Sequence, residues 1–342
     1  MHAKTVLCLG MLLLATSAWT QNAPAPAATA VTPPLPASAV ELQTVTVRGE
    51  QPGPALWEVR RGTHVLWIVG TLSPLPKHAE WQWTKLETAL SRSTELLEAP
   101  SARLRMPPSL FSRLALQPSA KLNPGGATLQ GLLSPEMYTR WLALRHQYLR
   151  DDDALEFMRP MIVAQQLYEK ALAADDLTND IDVADMVQKL ARRHGNRVIA
   201  VRYELLVTHA PPSTSIDQDQ QKGIACLDET MRLVEQDMPK LTQRANAWAT
   251  GDMKTLESLM PHRSYEPCIV AAINGDFEKQ LNIPDLPQRI ETAWMDAAEA
   301  ALVRNRSTVA VLSLDQLLSD DGYLAKLKAR GFIVRSPQDV DL

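Results

Sequence analysis

Long apolar runs are almost absent from this chain of 342 residues. After residue 20, no segment has the roughly 18 or more consecutive apolar residues that a transmembrane helix needs, so we expect no membrane-spanning segment in the mature protein. An excess of basic residues is also absent, because 35 Lys and Arg residues are outnumbered by 39 Asp and Glu residues. A formal net charge of −4 with mixed signs predicts no binding to nucleic acid.

The first 20 residues have the pattern of a secretory signal peptide. A basic start at His2 and Lys4 precedes an apolar run from Val6 to Leu14, and small residues follow at Thr16 and Ala18. This pattern predicts cleavage near Ala18 and a periplasmic or secreted mature protein.

Cysteine is scarce, with Cys8, Cys226 and Cys268 as the three copies. No Cys-x-x-Cys pair and no His-x-x-x-His pair occurs, so these common zinc-binding motifs are excluded. Removal of a signal peptide would leave Cys226 and Cys268 in an oxidising compartment, where pairing is the ordinary outcome. We expect one structural disulfide between them, with two separate buried thiols as the alternative.

The remaining chain divides into a linker and one domain. Residues 21–50 are an Ala- and Pro-rich linker that ends with a period-2 strand pattern over Val40–Val47, expected to be an edge strand of the main sheet. Residues 51–340 are expected to form a single domain, in which residues from about 105 to 290 are a long, mostly helical insertion.

Strand patterns lie on both sides of this insertion. On the amino-terminal side, a hairpin turning at Arg61-Gly62 leads to a buried strand (Val65–Val69), a helix (Glu80–Leu90) and a strand (Glu95–Glu98). On the carboxy-terminal side, the order is helix, strand, helix and strand from residue 290 to 334. The fold class is therefore predicted as α/β, with a central, largely parallel sheet built from two βαβ-type units.

Several short motifs resemble, in order, those of the TraB/GumN family, which includes the Tiki proteases and is distantly similar to erythromycin esterases. They are Leu56-Trp57, Gly70-Thr71, Glu98, Trp248 with Gly251-Asp252, Val309-Ala310-Val311 and Gly331-Phe332-Ile333-Val334. The resemblance implies an α/β fold with a metallohydrolase-type cleft.

The two histidines that the family carries in Gly-x-x-His motifs are missing here. Ser73 stands in place of the first, Asp315 falls at the second, and Leu312 replaces the second motif's glycine. Ser73 is a poor ligand beside an imidazole, so we expect no metal and no cofactor. The alternative is a divalent metal held by Glu98 and Asp315.

The candidate catalytic residues are thus Ser73, Glu98 and Asp315. Pro74 follows Ser73 and removes a backbone N–H that could stabilise an oxyanion, which argues against a serine hydrolase. The candidate cleft and binding residues are Gly70, Thr71, His78 and Glu204, the last taken from an acidic position of the family.

Four tryptophans are clustered in the sequence: Trp57, Trp67, Trp81 and Trp83. Core packing is the ordinary interpretation, and a wall for stacking sugars or peptides is the alternative.

These observations lead to three functional hypotheses. The first is an exported binding or scaffold protein of the cell envelope with a degenerate cleft, whose partner is an envelope protein, a peptide or a polysaccharide. The second is an active metal-dependent peptidase or esterase with a non-standard site. The third is an assembly factor that pairs with a partner sheet through its N-terminal strand.

Overall fold

The computed structural model describes residues 45–105, 121–206, 216–259 and 285–340. The predicted signal peptide, most of the predicted linker, and Cys268 lie outside these residues. The strands are β1 (Gly49–Gln51), β2 (Leu56–Arg61), β3 (His64–Thr71), β4 (Leu75–Pro76), β5 (Ala79–Trp81), β6 (Glu95–Leu97), β7 (Ser101–Arg105), β8 (Leu177–Thr178), β9 (Arg197–Ile199), β10 (Arg202–Leu206), β11 (Ser307–Ser313) and β12 (Ile333–Arg335).

The helices all lie between β1 and β12 along the chain. They are α1 (Thr84–Ser91), α2 (Leu129–Leu132), α3 (Pro135–Tyr148), α4 (Pro160–Ala174), α5 (Val183–Arg193), α6 (Ile216–Gln236), α7 (Met238–Thr250), α8 (Met253–Leu259), α9 (Leu286–Arg304), α10 (Leu314–Leu318) and α11 (Tyr323–Ala329). Among the described residues, none of these helices is long and apolar enough to cross a membrane.

A six-stranded sheet with the order β12-β2-β3-β11-β6-β9 forms the centre of the fold. The four strands from β3 to β9 are mutually parallel, and β2 is antiparallel to both of its neighbours. Strand β3 is buried from Val65 to Gly70 because it lies between two neighbours and under helices, as a near-continuous apolar strand predicts. The mixed α/β class with a sheet containing parallel strands is confirmed.

The connections differ in detail from two simple βαβ units. Strand β11, from the carboxy-terminal part of the chain, lies between β3 and β6, so the two strands of the predicted amino-terminal unit are not neighbours. Strand β12 crosses to the far edge and pairs with β2. The pattern of each strand predicted its burial but carried no information on which strands would be adjacent.

The sequence pattern of Asn196–Glu204 predicts a single strand, but the structure has two strands here. Residues 200 and 201 separate β9, which joins the main sheet, from β10, which pairs with β7 in a separate two-stranded sheet. The described residues between 105 and 290 are therefore mostly helical, but they also supply one edge strand of the central sheet.

The segment before residue 52 also differs from the prediction. Residues 45–48 have no regular structure, and the strand here is β1, which pairs with β5 rather than with the main sheet. Asn246 on α7 holds this segment at Val45 and Val47 through its side-chain amide. Residues 45–51 are thus part of the folded unit rather than of a tether.

Two hydrophobic clusters stabilise the described residues. One surrounds the central sheet and includes Trp57, Trp67 and Trp294, and the other lies between α3, α4, α6 and α7 and includes Trp141. Helix α7 contributes to both, with Trp248 in the first cluster and Leu241 in the second.

Glu95, at the start of β6, is a buried carboxylate in the first cluster's polar rim. Burial raises the pKa of its carboxyl, but hydrogen bonds from Arg197, Arg304 and Asn305 outweigh burial and hold the pKa below its ordinary value. A depressed pKa in the folded state adds stability that is present above the unfolded pKa and is lost as the pH falls through the folded pKa.

We therefore expect wild-type stability to fall as the pH drops below about 4.5, the ordinary glutamate value. Glu95→Gln removes the titrating group, so its free energy of unfolding should be lower at pH 7 but should fall less steeply in acid. Chemical denaturation of both proteins between pH 7 and pH 3 measures this difference. Parallel acid profiles would contradict the assignment.

Candidate functional site

Two strands of the central sheet deliver the candidate residues to one edge. In the parallel pair of β3 and β11, Gly70 is opposite Leu312 and Thr71 is opposite Ser313. Carboxyl ends of parallel strands are where α/β proteins usually bind ligands. Ser73 follows β3 by two residues and Asp315 lies in the first turn of α10, so both lie at this edge.

Arg244 joins these two positions. Its guanidinium donates one hydrogen bond to the Ser73 carbonyl oxygen at 3.2 Å and another to Asp315 Oδ1 at 3.4 Å. The Arg244 side chain is only 3% exposed, whereas the Asp315 side chain is 42% exposed. A buried cation therefore lies beneath the loop that carries Ser73, with the Asp315 carboxylate reaching solvent.

Helix α7 positions Arg244 by its periodicity. Arg244 and Trp248 are four residues apart, so they lie on the same face of the helix, which packs against the sheet edge. The Trp248 indole N–H donates to the Gly70 carbonyl oxygen at 2.8 Å and is itself buried. Trp248 thus fixes the end of β3, and Arg244 fixes the loop that follows β3.

Further polar groups surround Ser73. Its hydroxyl donates to Asn179 Oδ1 at 2.8 Å, and Asn179 also hydrogen-bonds with the Tyr168 hydroxyl. Burial raises the pKa of Tyr168 to about 12, although the Arg244 charge and the Asn179 hydrogen bond lower it. Tyr168 therefore remains neutral at physiological pH.

Among the described residues, the hydrogen-bond acceptor of the Ser73 hydroxyl is an amide oxygen. A nucleophilic serine needs a neighbouring base to take its proton, and the Asn179 amide oxygen that accepts its hydrogen bond is not a base. The described groups can donate and accept hydrogen bonds, but they do not form a nucleophile and base pair.

Glu98 lies at the same edge of the sheet but has a different partner. Leu97 is opposite Ala310, so β6 ends before β11 does, and Glu98 is level with Val311. Its carboxylate pairs with Arg202 at 3.3 Å, and its carbonyl accepts from Trp294 Nε1 at 3.2 Å. The structure brings Ser73 and Asp315 together at Arg244 and leaves the Glu98 carboxylate on Arg202.

The predicted site residues Thr71, His78 and Glu204 each contact a different partner. The Thr71 hydroxyl donates to the Leu312 carbonyl and so ties β3 to β11. His78 is half exposed and contacts Asp176, which also pairs with Arg48. Glu204 is exposed on β10 and pairs with Arg105 at 2.8 Å, which lowers the pKa of its carboxyl.

The tryptophans divide between the core and the edge of the site. Trp57 and Trp67 are buried in the central sheet, as core packing predicts. Trp81 packs edge-on against Trp248 with ring centroids 5.4 Å apart, and Trp83 packs edge-on against Trp81 at 6.3 Å. Trp81 and Trp83 are partly buried, pack against the same hydrophobic cluster, and continue the aromatic contacts of Trp248.

The chain matches the model of the TraB/PrgY/gumN family over residues 55–336. The chain belongs to the TraB/PrgY/gumN family. No curated protein and no solved structure matches it.

Because the chain belongs to this family, the residues at this edge can be compared with the ligands that a hydrolytic metal site needs. A hydrolytic metal site typically needs three imidazole or carboxylate ligands at about 2.0–2.2 Å. Within residues 45–105, 121–206, 216–259 and 285–340, no group of three or more His, Cys, Asp and Glu side chains is placed to hold a metal ion. The Asp315 carboxylate is already bonded to a permanent cation, the Arg244 guanidinium. These residues do not fit a divalent metal.

Sequence reasoning missed Arg244 altogether. Arg244 is 71 residues from Asp315 and 171 from Ser73, and only the packing of α7 brings it to them. An arginine four residues before Trp248 on a helix was the one available signal, since Trp248 was already among the family motifs.

Gly70 has a steric role in this TraB-family chain. A Cβ atom at this position would lie 2.4 Å from Leu314 Cδ2 and 2.7 Å from Trp57 Cζ3, both of them core side chains. Real atoms do not approach so closely, so any side chain here must displace its neighbours.

Gly70→Ala is accordingly expected to lower the free energy of unfolding by about 1–3 kcal/mol, the usual cost of overpacking a core. Gly131→Ala is a matched control, because its new Cβ would meet nothing closer than Thr128 Oγ1 at 3.6 Å. Urea denaturation of both variants measures the difference. Equal stabilities would show that the β3 edge is looser than described.

Proposed function

We propose that this TraB-family protein is an exported, non-catalytic binding or scaffold protein of the cell envelope. The signal-peptide pattern of residues 1–20 supports export. The arrangement of Ser73, Arg244 and Asp315 supports the loss of catalysis. The partner would be an envelope protein, a peptide or a polysaccharide.

The observation that carries the proposal is the buried Arg244 guanidinium between Ser73 and Asp315. These are the two positions that stand where the family has metal-binding histidines. An arginine is permanently charged, and at a few ångströms its charge opposes a divalent cation strongly in a partly buried site. This edge of the sheet thus has a fixed organic cation where a hydrolase would need a metal.

The same groups are suited to hydrogen-bonded binding. The Ser73 hydroxyl, the Asn179 amide and the Asp315 carboxylate all reach the surface, while Arg244 below them fixes the Ser73 loop. Hydroxyl, amide and carboxylate groups recognise the hydroxyls of a sugar or the backbone of a peptide equally well.

The two rival hypotheses find less support. A hydrolase on Glu98 and Asp315 would need both carboxylates at one metal, but each is paired with a different arginine. An assembly factor would need a free N-terminal strand, but residues 45–48 are held by Asn246, Asp175 and Asp176 of the same chain.

A first test is the response of stability to metals. The melting temperature should be unchanged by EDTA and by micromolar Mn²⁺, Co²⁺ or Zn²⁺, because the described donors do not form a transition-metal site. Thermal melts under each condition measure this. A reproducible rise of several degrees with one metal, abolished by Asp315→Asn, would support the hydrolase instead.

A further inference from the structure

The amino-terminal end of the parallel strands, opposite the Arg244 site, is crowded with arginines. Four segments meet there, with residues 60–64, 91–95, 192–197 and 304–307. Together they contain one acidic residue, Glu95, and eight arginines: Arg60, Arg61, Arg92, Arg192, Arg193, Arg197, Arg304 and Arg306.

Backbone hydrogen bonds place these segments side by side. Val65 N–H donates to the Arg306 carbonyl, Thr94 N–H to the Ser307 carbonyl, and Arg197 N–H to the Thr94 carbonyl. Arg61 is opposite His64 in the hairpin that opens β3. The segments therefore run along one edge of the sheet from β2 to β9, a width of roughly 20 Å at ordinary strand spacing.

Half of these arginines are available for an external anion. Arg60 pairs with the buried Glu58, and Arg197 and Arg304 share the buried Glu95. Arg192 bonds to Gln188. The remaining four are exposed and have no ion-pair partner in the part of the chain that the structure describes: Arg61, Arg92, Arg193 and Arg306.

The electrostatics of helix carboxyl termini explains the positions of only some of these arginines. Helices α1, α5 and α9 all end at this edge, and a basic residue near a helix carboxyl terminus is favourable. Arg61 at the end of β2 and Arg306 just before β11 are outside any helix, so this effect does not account for them. The concentration is also notable because the whole chain has a net charge of −4.

The composition of this face points to phosphate. All the strong cations are arginines and none is lysine, and a guanidinium can donate two parallel hydrogen bonds to a phosphate. The four segments contain no Phe, Tyr or Trp, and apart from the arginines and Glu95 they consist of Ser, Thr, Gly, His and Asn. Such a surface attracts anions without inserting an apolar group.

We propose that this basic face docks the protein on the phosphate headgroups of an anionic phospholipid membrane. Charge complementarity selects the partner, because an array of exposed arginines along a sheet edge opposes a surface of many phosphates at once. The Arg244 site, at the opposite end of the strands, would then point away from the bilayer. Single-stranded nucleic acid is disfavoured because its binding relies on aromatic stacking platforms, which these segments lack.

The test compares two variants that each remove four positive charges. The face variant is Arg61→Gln, Arg92→Gln, Arg193→Gln and Arg306→Gln. The control is Lys85→Gln, Lys121→Gln, Lys170→Gln and Lys254→Gln, which are exposed lysines outside these segments. Both variants and the wild type are purified as full-length chains from the same cells, so any contribution of the amino terminus is shared.

Co-sedimentation with phosphatidylcholine vesicles, with and without phosphatidylglycerol, measures binding. Each arginine near an anionic surface strengthens binding roughly fivefold, so the face variant should lose at least tenfold in partitioning to the anionic vesicles. The control should bind like the wild type. An increasing NaCl concentration should release both of these proteins from the anionic vesicles. Circular dichroism confirms that the variants are folded.

Three results would overturn the proposal. These are no preference of the wild type for anionic vesicles, equal binding of the two variants, and tight binding of a DNA duplex by a wild type that does not bind the vesicles. The last result would assign the face to nucleic acid.

Discussion

Replacing Trp248 by alanine is expected to lower the free energy of unfolding by about 3–5 kcal/mol, the usual cost of truncating a buried tryptophan. Trp248 is 1% exposed and packs edge-on against Trp81. Its indole N–H also satisfies the Gly70 carbonyl, which would otherwise be a buried acceptor without that partner. The change therefore leaves a cavity and an unmet hydrogen bond at the same place.

Two controls separate these effects. Trp248→Phe keeps most of the volume and loses the hydrogen bond, so its cost should be about 1–3 kcal/mol. Trp83→Ala removes a partly exposed ring at the far end of the same aromatic row, so its cost should be smaller than that of Trp248→Ala. Guanidinium denaturation monitors all three. A Trp248→Ala cost no larger than that of Trp83→Ala would contradict the role of α7 in supporting β3.

The second large effect is a gain of metal binding in a redesigned site. Ser73→His and Asp315→His would restore the two imidazoles, and Arg244→Gln would remove the fixed cation between them. We expect the triple variant to bind Co²⁺ or Mn²⁺ at least tenfold more tightly than wild type, since imidazole nitrogens are strong ligands for these metals. Leu312 is left unchanged because it is fully buried and its truncation would create a cavity.

Isothermal titration compares this triple variant with wild type and with the Ser73→His and Asp315→His pair alone. The pair should bind metal less well than the triple variant, because the guanidinium still opposes a divalent cation. If a folded triple variant binds neither metal better than wild type, the positions assigned to the family histidines are wrong.

Local patterns in the sequence predicted individual elements well. The apolar run Val65–Val69 lies within β3, and Thr308–Leu312 lies within β11, because a strand buried on both faces needs a continuous apolar run. The pattern of Ile290–Leu302 predicts a helix, and α9 extends this range by a few residues at each end. These are properties of short segments, so short segments are enough to reveal them.

Long-range pairing was outside the reach of such patterns. Nothing in the apolar run of β11 indicates that it inserts between β3 and β6, since strand order depends on how the helices pack. Strand β9 was merged with β10 because Val201 continues the apolar alternation although the chain changes sheets there. The Val40–Val47 pattern failed over residues 45–48 because Asn246 and Asp175, distant in sequence, supply the hydrogen bonds instead of a strand.

In the candidate site, too, local motifs were informative and long-range contacts were not predicted. The family motifs located Gly70, Ser73 and Asp315 at one sheet edge, but they did not identify Arg244 or the pairing of Glu98 with Arg202. The net charge likewise gave no sign of the arginines at the other end of the strands, because a sum over the chain hides their concentration. The predicted disulfide remains a prediction, because Cys268 lies outside the described residues.

We propose that a buried guanidinium, and no metal, organises the candidate site of this TraB-family protein. The decisive measurement is plasma mass spectrometry of the protein purified without chelators or added metals. We expect far less than one equivalent of Mn, Fe, Co, Ni, Cu or Zn per chain, and the same content in an Asp315→Asn variant. A stoichiometric transition metal in the wild type that is lost in Asp315→Asn would contradict it.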